Sequence, residues 1–252
     1  MTSFIGYNNI LESGAVTVTS EATGFAKENA YDWTPYDWWQ ALAAGTVYLT
    51  VDMGVNTIVD YWALGFHNLD DNSGTIKPQY SSDNFASDIN DLDTVQTLTN
   101  GLPIMRPVTQ RNVRYYRFEI NSTGSASFIG LLALGKILQL PAHVPLPFGS
   151  PVLQRDKKIL NNISDTGNHL RSSVFAAGYD FIIQQKLITN AWIDTNWDAF
   201  ADHAEIKSFF YMWDYENRPT EIILAKAYDI AYPMRNEPNR NDFSLKCKGL
   251  IE

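Results

Sequence analysis

Val47-Tyr48-Leu49-Thr50-Val51-Asp52-Met53-Gly54 decides how the first half of this 252-residue chain is read. Apolar and polar side chains alternate with period two, so one face is buried and the other wet, and Met53-Gly54 reads as a turn. Upstream, Ala15-Val16-Thr17-Val18-Thr19 repeats the pattern. Downstream come Val59 to Leu64, Ile76 to Ser81, Val113-Arg114-Tyr115-Tyr116-Arg117-Phe118-Glu119-Ile120, and Phe128 to Leu134. Gly, Asn, Asp and Ser fill the intervals. Many short strands separated by turn chemistry predict an antiparallel β-sandwich. One short helix is predicted at Phe25 to Ala30.

Composition bounds the rest. Hydrophobic residues make up 45% of the chain, charged residues 19% and aromatics 13%, enough rigid apolar surface for a real core and too much for a disordered chain. The net charge is −9, and no Lys/Arg cluster offers the basic face of an electrostatic nucleic-acid binder. A single cysteine, Cys247, excludes an intrachain disulfide framework and reads as a small buried hydrophobe. Met1 to Gly6 has neither a basic nor a sustained apolar segment, and Ile129 to Leu134 is far shorter than the ~20 residues of a membrane span. The expectation is a soluble product of a cytoplasm with no membrane insertion. Gly130 to Ile137 nearly spells a phosphate-binding loop, but Ile137 stands where magnesium needs Ser or Thr, so the segment reads as a buried strand.

Four prolines in the eleven residues Pro141 to Pro151 mark an extended connector. Residues 1–140 carry 7 basic and 14 acidic side chains, whereas 141–252 carry 12 and 14. The acidity therefore belongs to the first part. Two domains are predicted, 1–140 and 152–252, joined by a linker at 141–151. In the second, Tyr179 to Ile188, Lys207 to Trp213, Glu221 to Tyr228 and Phe243 to Leu250 read as strands. A helix over about 192–206 places Trp197, Phe200, Ala201 and Ala204 on one stripe, with Thr195 and Asp198 as a weak capping box. Strands around one helix imply an α+β barrel or sandwich, mainly β.

Tyr31, Trp33, Tyr36, Trp38 and Trp39 form the best candidate for ligand contact, because sugar rings stack their C–H faces on indole and phenol. Tyr36 and Trp39 are read as the exposed pair, with Trp38 beside them and Asp32, Asp37 and Gln40 to bind hydroxyls. The competing use of Trp33 and of Trp38 or Trp39 is to plug the core. Asp70, Asp71 and Asp83 lie in Asn/Gly-rich loops, where oxygen ligands for a structural calcium are available and where ordinary turns need the same residues. No other cofactor is expected, since the histidines lie far apart and no zinc pattern occurs. In Lys207 to Trp213 alternate side chains face opposite ways, so Phe210 and Met212 are expected at a subunit seam. Paired carboxylates for glycoside hydrolysis are not singled out by any spacing.

Three segments together resemble the galactose-binding-like jelly-roll sandwich of discoidin and coagulation-factor C domains. They are Ala30-Tyr31-Asp32-Trp33-Thr34 with Trp38-Trp39-Gln40-Ala41; Val47 to Gly54; and Tyr80-Ser81-Ser82-Asp83-Asn84 with Arg114-Tyr115-Tyr116-Arg117-Phe118. Where that family usually has Gly after the Asp of the first motif, this chain has Trp33. A second resemblance, to phage and prophage tail proteins, rests on Ile129 to Gly135 running into Leu140-Pro141, Gly167 to Ser172, Trp197-x-x-Phe200, Lys207 to Trp213, and Phe243 to Gly249. Together they imply a structural component of a phage tail tip or baseplate, not an enzyme, located in the virion tail. It would oligomerise through its C-terminal domain, contact other tail proteins and display the sandwich, with a host surface glycan as a further partner. A free carbohydrate-binding module is the alternative.

Overall fold

The computed structural model describes residues 2–141 and 149–250. It is mainly β, with antiparallel sheets and one α-helix. The strands are β1 (Phe4–Gly6), β2 (Ala15–Val18), β3 (Trp39–Gln40), β4 (Gly45–His67), β5 (Thr75–Ser81), β6 (Asn90–Asp91), β7 (Gln96–Thr97), β8 (Ile104–Ser122), β9 (Phe128–Gly135), β10 (Leu138–Gln139), β11 (Arg155–Ile163), β12 (His169–Thr189), β13 (Phe209–Met212), β14 (Ile222–Glu237) and β15 (Arg240–Gly249). The helix α1 spans Asn190–Ile206.

Two compact units result. One comprises Phe4–Gln139 with Lys207–Phe210; the other contains Leu140–Ile206 and the segment from Tyr211 onward. The connector expected over 141–151 falls, for 142–148, outside the described residues.

In the first unit the sheet runs β3-β9-β4-β8-β5-β6, with β2 beside β4 and β7 beside β5. β4 is 23 residues long. Its first half pairs with β2 and with the end of β8, its second half with β9 and the start of β8. The ladder between β4 and β8 shifts register between Asp52 and Thr57, and such an irregularity bends a strand and sharpens its twist. Met53-Gly54, expected to end a strand, lies inside this irregularity instead. Gly54 adopts φ +71° and its N–H donates to Asp52 Oδ1 at 2.7 Å. The Arg114 guanidinium grips the same Asp52 carboxylate through Nε and Nη2 at 2.6 and 2.7 Å.

Alternation survives where one face is wet: Val47, Leu49 and Val51 are buried, as are Tyr116, Phe118 and Ile120 opposite them. It disappears in the centre. Tyr61, Trp62, Ala63 and Leu64 are all fully buried, and β9 is buried from Ile129 to Gly135. A run of apolar residues without alternation is what a strand covered on both faces requires. Tyr61 keeps its polar tip satisfied by donating to the Asn8 carbonyl at 2.6 Å.

In the second unit the strands follow the order β14-β15-β12-β11. α1 buries Trp197, Phe200, Ala201 and Ala204, the stripe its 3.6-residue period predicts. The helix starts earlier than the Thr195 capping box suggested. Thr189 Oγ1 accepts from the Trp192 N–H at 3.3 Å, as an N-cap does, whereas Thr195 Oγ1 donates back to the Ala191 carbonyl. Trp192 and Trp197 both pack on Phe243 of β15, with ring centroids 5.9 and 4.4 Å away.

Phe118 is fully buried and meets the Trp62 ring edge-on, centroids 6.0 Å apart. Phe118→Ala is expected to cost about 3–5 kcal/mol, as large-to-small core changes do. Chemical denaturation followed by tryptophan fluorescence reads this as a lower midpoint.

Candidate functional site

The residues between the 3-10 turn Lys27–Ala30 and β3 carry the aromatic cluster. Asp32 shapes the loop: its Oδ1 accepts from the Thr34 N–H at 2.8 Å, an Asx-type turn. Burial raises the Asp32 pKa, the Thr34 N–H opposes this, and the Asp37 charge adds to the rise. Trp33 takes φ +66°, a left-handed conformation that suits glycine. Its ring is buried, 6.1 Å from that of Phe210, so apolar burial offsets the backbone cost.

Where the chain enters β3, successive tryptophans face opposite ways. Trp39, opposite Ile129 of β9, points inward, is fully buried and donates from Nε1 to the Ser20 carbonyl at 3.2 Å. This corrects its expected place in a glycan site: Trp39 is the core plug. Trp38 lies on the other face and is 36% exposed. Its ring stacks on Phe25 (centroids 5.5 Å, interplanar angle 24°) and leans on Phe128 (5.6 Å, 44°). Both phenylalanines are half-buried. Asn29 Nδ2 donates to the Trp38 carbonyl at 3.3 Å and holds the backbone. Tyr36 is 80% exposed and Asp37 is exposed as well. The structure thus makes a backed aromatic platform of Trp38, Phe25 and Phe128, with Tyr36 and Asp37 next to it in sequence and Gln40 opposite Phe128 in the ladder.

Phe25 and Phe128 were not foreseen. Phe25 is an isolated aromatic with no periodic context, and Phe128 reaches Trp38 only through the pairing of β3 with β9. A single sequence carries no signal for either.

The acidic residues fall elsewhere. Asp83 spends both oxygens on its own loop: Oδ1 accepts from Ser81 Oγ and the Ala86 N–H, and Oδ2 from the Ser87 N–H and Oγ, with Asp88 N–H near both. Those bonds, the Ser87 hydroxyl first, hold the Asp83 carboxyl well below the usual carboxylate range. Asp70 lies 3.7 Å from His67 Nδ1, and Asp71 is exposed. Among the described residues no group of three or more His, Cys, Asp or Glu is placed to hold a metal, so Asp70, Asp71 and Asp83 do not form such a set. Phe210 and Met212, expected at a subunit seam, are both buried within the chain itself. β13 is buried at all four positions.

A carboxylate whose folded pKa is depressed lends stability above its ordinary value, and that stability fades as pH falls below it. The Asp83 loop is therefore expected to loosen below pH ~4, the ordinary Asp range. Hydrogen exchange at Ala86, Ser87 and Asp88 should lose protection there while the core amides of β8 keep theirs.

No protein-family model and no curated protein sequence matches the chain. Solved structures do resemble it. Chitosan-binding module 1 from the chitosanase/glucanase of Paenibacillus sp. IK-5 is 18% identical and covers 51% of this chain and 99% of its own, with a TM-score of 0.44. The CBM32 of AlyQ in complex with 4,5-unsaturated mannuronic acid is 22% identical over 51% of this chain and 96% of its own, TM-score 0.38. A GH29 fucosidase of Ruminococcus gnavus, in complex with fucose, is 15% identical over 51% of this chain and 26% of the enzyme, TM-score 0.44.

Proposed function

We propose that the first unit is a carbohydrate-binding module, and that a sugar ring stacks on the face of Trp38. One observation carries this reading: Trp38 is a solvent-facing indole already held between Phe25 and Phe128. A ring fixed before the ligand arrives loses little freedom on binding, which is where rigid aromatic anchors gain affinity. Tyr36 extends the apolar surface, and Asp37 and Gln40 supply acceptors and donors for hydroxyls. The solved structures it resembles include modules named for chitosan binding.

On an array of cell-wall and capsular polysaccharides, the protein is expected to bind one class of glycan. Trp38→Ala should weaken that binding at least tenfold, about 1.4 kcal/mol, and Tyr36→Ala by less. Both variants should unfold within a few degrees of the parent, because neither side chain fills the core. Undiminished binding by Trp38→Ala overturns the reading.

A second reading has its own observation. β11 is exposed along nearly its whole length, and Ile159, Leu160 and Ile163 stand in solvent with Leu170 and Val174 of the adjoining β12. A two-stranded ribbon is marginal alone, and an open apolar edge invites pairing. These residues support an assembly role for the second unit, such as that of a phage tail-tip or baseplate component that oligomerises and shows its sandwich to a host glycan. Light scattering should then give a mass above 28.5 kDa that Leu160→Asp returns to the monomer. A parent protein that stays monomeric at every concentration removes this second reading.

A further inference from the structure

The solvent face of the first unit holds a second arrangement, on β4, β8 and β5, away from the β3 platform in the strand order. Thr17, Thr50, Arg117, Gln79 and Asp91 form one cross-strand row through β2, β4, β8, β5 and β6. The row lies on the outer face, because the next positions along these strands, Val51 and Tyr116 among them, are buried inside.

Arg117 is the centre of that row. Its guanidinium lies 4.4 Å from the centroid of the Tyr48 ring and 4.1 Å from that of Phe85. Nε donates to Gln79 Oε1 at 2.7 Å, and Gln79, itself almost fully buried, donates from Nε2 to Asp91 Oδ1 at 3.0 Å. These contacts occupy the faces of the guanidinium and one of its five N–H groups. Nη1 and Nη2 have no acceptor among the described residues, although Glu119 stands two positions away on the same strand. Glu119 instead faces Lys77, 4.0 Å away, and Lys77 also meets Asp91 at 3.3 Å. The chain's other bidentate arginines, Arg106 and Arg114, have spent their forks on Asp93 and Asp52.

A planar fork held by two rings and one hydrogen bond, with its remaining donors in water, matches a carboxylate in charge and geometry. We propose that Arg117 is a carboxylate receptor, and that its ligand is a hexuronic acid within an acidic glycan. The surroundings limit the ligand to a single carboxylate on a hydroxyl-rich molecule. Thr50 and Thr17 place hydroxyls about one and two strand spacings, ~4.8 Å each, along the row, while Lys77 balances only part of the charge of Glu119 and Asp91. A phosphate or sulfate cluster meets too few cations there. Stapling the loop that carries Phe85 needs only the ring faces and Nε, and leaves the two Nη groups without a purpose that ligand binding supplies.

The test is independent of Trp38. Trigalacturonate and its methyl ester are titrated into the full chain while the arginine side-chain ¹⁵N signals are followed. The free acid is expected to shift the Arg117 Nη signals and to bind at least tenfold more tightly than the ester. Arg117→Lys, which keeps the charge and loses the fork, should weaken acid binding at least tenfold. Equal binding of acid and ester, no shift at Arg117, or undiminished acid binding by Arg117→Lys overturns the proposal. So does a preference for an acidic peptide over trigalacturonate. A failure of Trp38→Ala on the polysaccharide array, with the Arg117 results intact, counts against the platform alone.

Discussion

One strand has to serve two layers, and the first unit depends on how it does so. A strand of 23 residues twists as it runs and does not stay flat against one partner set. The irregularity between Asp52 and Thr57 lets β4 leave the β2 side and continue beside β9 without breaking its ladder to β8. Gly54 in a left-handed conformation and the Asp52–Arg114 pair stabilise that bend. Because the pair is partly exposed, its contribution is modest, and its use is to set geometry more than to add stability. Loss of the bend would place the apolar residues of Val59 to Leu64 in water.

The wet face and the aromatic platform follow from this arrangement. With the sandwich interior filled by Trp39, Trp62, Tyr116 and Phe118, the strands that keep their alternation have one side left for solvent. Pairing with β9 sends Trp39 of β3 to the core, and Trp38, the residue just before the strand, turns to the solvent side. On another part of the same unit, the pairing of β4, β8 and β5 assembles Tyr48, Arg117 and Gln79 from three separate segments, and the Asp83 turn delivers Phe85 over them. In both places the polar or aromatic group at the surface is fixed by neighbours before any ligand is present.

The second unit shows a different balance. α1 and its aromatic contacts to Phe243 are compact, while β11 and the start of β12 extend as a ribbon with apolar side chains in water. Its sequence explains why no strand was expected there. Lys157, Lys158, Asn161 and Asn162 interrupt the alternation, so Arg155 to Ile163 has neither a clean period of two nor a continuous apolar run. Backbone pairing with β12 makes the strand, and pairing leaves no mark in composition.

What the residues determined by themselves is the class of each element that buries a face. Alternation around Val47 and Tyr116, the unbroken apolar run of β9 and the stripe of α1 are properties of local order, because periodicity is dictated by strand or helix geometry. The cluster from Tyr31 to Trp39 was likewise legible as a place rich in rings. Tertiary structure alone decided which of those rings meet water, since only the pairing of Trp39 with Ile129 of β9 sends that indole inward and leaves its neighbour Trp38 outside. It also decided that Asp83 closes its own turn, and that Phe25, Phe128, Phe85 and Gln79, distant in sequence, become neighbours of Trp38 or Arg117. Local periodicity tells a side chain that it must be covered; only long-range register tells it by what.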